Sequence, residues 1–92
     1  MIGISVQISL YPLGQADLAP AIQRVLNALS ARGLPYQVGS MSTVTWGDDE
    51  VVFPALREAF VQAAELGPAV MTMTASNACP RPQPSDEETS RV

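Results

Sequence analysis

Histidine and lysine are absent from this 92-residue chain, and cysteine occurs once, at Cys79. Without histidine the chain lacks the side chain that most often titrates near neutrality in general acid–base catalysis. Without lysine it lacks the amine of a Schiff base. A lone cysteine makes no intramolecular disulfide, and with no histidine to activate it Cys79 reads as incidental rather than catalytic. Five arginines stand against nine Asp and Glu, for a net charge of −4. They do not cluster, so the phosphate neutralisation that nucleic-acid binding requires is missing. No run approaches the roughly 20 apolar residues of a membrane span, and the N-terminus lacks the basic segment and long apolar run of a signal peptide. The expectation is a cytoplasmic protein with neither a nucleic-acid nor a membrane partner.

Charge is also missing from the segments that alternate. No charged residue falls in 3–10, 34–47 or 68–80. In the first of these, Ile4, Val6, Ile8 and Leu10 alternate with Ser5, Gln7 and Ser9. Later, Thr43 and Thr45 alternate with Val44 and Trp46, and Thr72, Thr74 and Ser76 alternate with Met71, Met73 and Ala75. A solvated sheet face ordinarily collects charge, which keeps it soluble and its edges unpaired. A face of hydroxyls and amides suits being covered, by another subunit, a small ligand, or both. This reading puts the hydroxyls of Thr43 and Thr45 on that face.

The elements follow from local chemistry. Gly3–Leu10 reads as a strand closed by the turn Tyr11-Pro12-Leu13-Gly14. Asp17 reads as a helix N-cap, with Pro20 in the first turn. Leu18, Ile22, Val25, Leu26 and Leu29 recur at helical spacing, and Gly33 is placed to end the helix as its C′ residue. Pro35–Ser40 and Ser42–Trp46 read as short strands around Gly39-Ser40-Met41, with a turn, a bulge or a kinked ribbon all compatible. In the second helix Val52, Phe53, Leu56, Phe60, Ala63 and Ala64 form the expected buried face. Pro54 requires that helix to begin near Val51 or Val52. Gly67-Pro68 ends it, and Ala69–Ser76 is the last strand. Met41, Met71 and Met73 read as core or interface filler.

The order β-α-β-β-α-β predicts an α+β fold, a ferredoxin-like sandwich of a four-stranded antiparallel sheet with two helices on one face. The first and last strands should sit side by side. Residues 1–77 are read as one ligand-binding and oligomerisation domain. Residues 78–92, with prolines at 80, 82 and 84 and acidic residues at 86–88, are read as a disordered tail that cannot bury enough apolar surface to offset its ordering entropy. A unit of this size is marginally stable alone, and oligomerisation is a common remedy.

Three segments carry more than the generic topology: Ser5-Val6-Gln7-Ile8-Ser9-Leu10-Tyr11-Pro12-Leu13-Gly14, Val38-Gly39-Ser40-Met41-Ser42-Thr43, and Gly47-Asp48 at the start of the second helix. Their order and spacing resemble the YkoF-like thiamine-binding family, from Ile4 to about Ser76. The resemblance implies a single-domain member that associates through its open sheet face, commonly as a tetramer. It also implies binding of thiamine or its hydroxymethylpyrimidine portion, at sites near the open sheet face and subunit interfaces, without catalysis. One departure concerns the residue before the glycine at the second helix, acidic in much of the family and Trp46 here.

Asp48, Asp49 and Glu50 could form a metal or acid/base site, but carboxylates at a helix start more simply satisfy free N–H groups and complement its dipole. No metal and no cofactor is expected. A binding site is easier to build. Ser9, Ser42, Thr43 and Thr45 offer hydroxyls, and Gln7 an amide, to the mixed donors and acceptors of an aminopyrimidine. Tyr11, Tyr36 or Trp46 could stack on its ring or face a thiazolium cation. The expected ligand-binding set is Gln7, Ser9, Tyr11, Ser42, Thr43, Thr45 and Trp46. Two other readings compete, a regulatory or structural domain that only oligomerises, and a small cofactor-free isomerase or oxygenase.

Overall fold

The computed structural model describes residues 1–78; the expected tail lies outside the described residues from Cys79 onward. Six elements run β1 (Gly3–Pro12), α1 (Ala19–Ala31), β2 (Tyr36–Val38), β3 (Thr43–Asp48), α2 (Asp49–Ala64) and β4 (Ala69–Ser76). The strands form one antiparallel sheet in the order β2-β3-β1-β4, so the first and last strands are neighbours as expected. Ile4, Val6 and Ile8 of β1 are buried together with Val25 and Leu29 of α1, Leu34 of the following loop, and Val52 and Leu56 of α2. Both helices therefore cover the face to which the even-numbered residues of β1 point.

The end of α1 is built as its residues dictate. Gly33 takes φ +70, its N–H donates to the Ser30 carbonyl at 2.9 Å, and the Leu34 N–H donates to the Leu29 carbonyl at 3.0 Å. These two bonds are the Schellman arrangement, and the apolar residue after the glycine, Leu34, is buried as that motif favours. At the other end, Asp17 Oδ1 accepts from the Ala19 N–H at 3.1 Å, while Leu18 occupies the cap position itself.

Four expectations are corrected. β1 continues through Tyr11 and Pro12, which pair with Val70 and Ala69 instead of forming a turn. α2 starts at Asp49 rather than Val51 or Val52, so Pro54 lies inside the helix. Its missing N–H leaves the Glu50 carbonyl without its usual partner, but both residues are exposed, and water can satisfy that carbonyl. The buried face of α2 is Val52, Ala55, Leu56, Ala59 and Ala63, whereas Phe53 and Phe60 are 48% and 40% exposed and Ala64 is exposed. The helices pack on each other with Ala21 and Ala28 of α1 and these alanines of α2 fully enclosed. Small side chains allow close helix approach, and the bulky phenylalanines rotate to the outside.

The fourth correction concerns β3. Thr43 pairs with Ile8 and Thr45 with Val6, so both threonines face the helices and are buried. Val44 and Trp46, paired with Gln7 and Ser5, occupy the open face. The Thr45 hydroxyl is accommodated because it donates to the Pro35 carbonyl at 2.8 Å, which removes the penalty of an unpaired buried hydroxyl.

Candidate functional site

The open sheet face carries Ser5, Gln7, Ser9 and Tyr11 from β1, Gln37 from β2, Val44 and Trp46 from β3, and Val70, Thr72, Thr74 and Ser76 from β4. None of these is charged, and they form a continuous layer because Gln7 sits between Val44 and Thr74, and Ser9 beside Thr72. Ser9 Oγ donates to the Met41 carbonyl at 3.2 Å, tying the β2–β3 hairpin to the central strand. The hairpin is closed by a 2.7 Å bond from the Gly39 N–H to the Ser42 carbonyl, which answers the sequence's open question in favour of a turn. Met41 is 80% exposed at its tip, so it is not core filler.

A cavity of about 290 Å³ lies on the other side of the sheet, between β1, the first half of α1 and this hairpin. Ile8, Leu10, Leu18, Ile22, Val25 and Val38 supply apolar walls, and Ser40, Ser42 and Thr43 border it with hydroxyl-bearing residues. Among the described residues, no charged one lines it. Walls of this kind favour a neutral ligand over an anion, because they offer an anion no cationic partner. They suit a small, flat, neutral ring that offers one polar edge to hydroxyls.

The predicted site residues divide between these places. Ser42 and Thr43 come together at the cavity, and Tyr11, whose register puts its side chain on the open face, lies only at the cavity's edge. Gln7 and Trp46 lie on the open face, across the sheet from it. Ser9 is committed to the Met41 carbonyl, and Thr45 to that of Pro35. The sequence reading missed Leu18, Ile22 and Val38 as wall residues. A signal was present: the apolar stripe of α1 starts at Leu18, earlier than its core residues Ala21, Val25, Ala28 and Leu29 require, and the surplus residues stand over the cavity.

The carboxylates at the start of α2 have a structural use. Asp49 Oδ1 accepts from the Ile2 N–H at 2.7 Å, and the Asp49 N–H donates to the Ile2 carbonyl at 2.9 Å. Asp48 is the cap residue but makes no side-chain cap bond. Among the described residues no group of three His, Cys, Asp or Glu could hold a metal ion, and no helix is long and apolar enough to cross a membrane.

The YKOF-related family model matches residues 3–82. No curated protein matches the chain. Among solved structures, a hypothetical protein of Methanocaldococcus jannascii superimposes with a TM-score of 0.80 at 17% identity, covering 99% of this chain and 96% of its own. A Streptococcus pneumoniae protein gives 0.76 at 20% identity, covering 97% and 99%. A Thermotoga maritima protein assigned provisionally to thiamine biosynthesis or salvage gives 0.75 at 19% identity, covering 97% of each chain. At such identities the likeness establishes the fold.

Proposed function

This chain belongs to the YKOF-related family, and from that premise we propose that it is a non-enzymatic binding protein for thiamine or its hydroxymethylpyrimidine portion. The observation that carries the proposal is the uncharged 290 Å³ cavity with Ser42 and Thr43 at its polar border. The pyrimidine occupies the cavity, its ring nitrogens and amino group meeting the Ser42 and Thr43 hydroxyls, each of which both donates and accepts. The thiamine-related name of the Thermotoga maritima neighbour supports the same ligand class.

Absence of histidine and lysine favours binding over turnover. Titration of the protein with thiamine and with hydroxymethylpyrimidine, by calorimetry and thermal shift, tests the reading. Ligand well above its Kd raises the melting temperature by mass action. A heat of binding that disappears in Ile22→Trp, which fills the cavity from a half-exposed helix position, is the expected result. No heat and no thermal shift at millimolar ligand would overturn it.

A second reading is favoured by the open face, whose uncharged layer suits a covering protomer. In it the domain associates with copies of itself through that face, with tetramers the expected assembly, and carries no ligand. Association and ligand binding are compatible, so only the absence of any ligand would favour this reading alone.

A further inference from the structure

β1 and β3 stop pairing where the cavity begins. Their last matched residues are Ile8 and Thr43, and the register is not continued to Ser9 and Ser42 or to Leu10 and Met41. β1 itself runs on to Pro12, held on its other side by β4, with Ser9 against Thr72 and Leu10 against Met71. The β2–β3 turn therefore stands away from an anchored strand. The cavity lies at this split, touched by Leu10 on one side and by residues 38–42 on the other.

Val38, Gly39, Ser40 and Met41 are all exposed, so little packing restrains the turn. Internally it is stiff: the Gly39 N–H donates to the Ser42 carbonyl at 2.7 Å, and a Cβ on residue 39 would lie 3.3 Å from that same oxygen. Across the split a side chain stands in for backbone pairing, Ser9 Oγ donating to the Met41 carbonyl at 3.2 Å. Ser9 belongs to the open face and does not line the cavity, yet it holds the turn that does.

We infer that Gly39–Ser42 is a hinged flap over the cavity and that Ser9 is the positioning residue that latches it. The inference rests on the cavity being the ligand site. A stiff turn moves as one piece, so its backbone rotation concentrates at Val38 and Thr43, where the β2–β3 ladder ends. Of the two hydroxyls assigned to the ligand, Ser42 travels with the flap, whereas Thr43 is buried and stays with the sheet. Unlatching thus separates the two halves of the polar border. An exposed hydrogen bond trades against water, so its net worth is a factor of about two to ten in the closed-to-open ratio. That biases the flap without locking it, and ligand affinity falls with the closed fraction.

The experiment compares Ser9→Ala, Ser9→Val and Ser9→Thr with the wild type on the full chain. It combines amide hydrogen exchange without ligand with affinities and dissociation rates for thiamine and hydroxymethylpyrimidine. Valine has threonine's shape without its hydroxyl and suits a strand, so the fold is kept. The alanine and valine variants should exchange the Gly39–Ser42 amides faster, with Val6–Ile8 unaltered. Both should release ligand about twofold to tenfold faster, and threonine should restore both readouts. Unaltered turn exchange in both hydroxyl-free variants overturns the inference. So does faster exchange with unchanged ligand release, or a threonine variant that behaves as valine does. Wild-type protein that binds neither compound defeats the proposed function instead, and turn exchange in the free protein then still decides the latch.

Discussion

Thr45 stands directly opposite Val6 across the β1–β3 pair, wholly buried on the helix side, and its Oγ1 donates to the Pro35 carbonyl at 2.8 Å. The bond joins β3 to the loop between α1 and β2, so it helps to hold the fold. Thr45→Val keeps the shape and removes the donor, which should cost about 1 kcal/mol. For a domain of this size that lowers the melting temperature by about 4–8 °C. Thermal denaturation measures the loss, and ligand affinity should be unchanged.

Gly47, two residues before α2, has φ +156, and a Cβ there would lie 2.9 Å from Leu34 Cδ2 and 3.5 Å from Val52 Cγ2. Leu34 and Val52 are both core residues with little room to give. Gly47→Ala should destabilise the domain by about 1–3 kcal/mol, from the strained conformation and the displaced leucine together. Urea unfolding with an unchanged m-value is the check.

Pro54 offers the opposite sign. It lies in the exposed interior of α2, where proline is about 3 kcal/mol worse than alanine before the stiffer unfolded chain is credited back. Pro54→Ala should therefore stabilise the protein by about 1–2 kcal/mol. Equal or lower stability in the variant would show that the proline relieves strain at this helix.

Ligand titrations separate the two faces of the sheet. Ser42→Ala and Thr43→Val each remove one hydroxyl from the cavity border, and the loss of about 0.5–1.5 kcal/mol corresponds to a twofold to roughly tenfold weaker Kd. Gln7→Ala and Trp46→Phe alter the open face and should leave affinity within error. Calorimetry giving the reverse pattern would move the site to the open face.

Gln7→Lys and Thr74→Glu place a charge at the middle of the open face, where the two residues pair across β1 and β4. If a protomer covers that face, either charge is buried without a partner, and the assembly should dissociate by one step. Light scattering reports this directly, and an unchanged mass for both variants would refute association through the face.

Much of the fold is legible in the sequence because its signals are local. Alternation from Ile4 to Leu10 defines a strand, Gly33 can take the αL conformation that ends α1, and Gly67-Pro68 stops α2. The candidate site is only half legible. Ser42 and Thr43 are legible as hydroxyls next to a glycine turn, but the walls from Leu18, Ile22 and Val38 belong to elements distant in sequence. Their convergence depends on how α1 lies over the sheet.

The sequence by itself determined the order of elements, the periodicity of each, and the chemistry that lack of histidine and lysine leaves open. Tertiary structure decided which side each periodicity presents. A period of two marks two faces of β3 without saying which one the helices cover, and pairing Thr45 with Val6 settled that Thr43 and Thr45 lie inside while Trp46 lies outside. In α2 the competition between alanine and phenylalanine for the interior was likewise decided by the neighbouring helix. Close packing against α1 admits Ala55, Ala59 and Ala63 and leaves no space for the rings of Phe53 and Phe60.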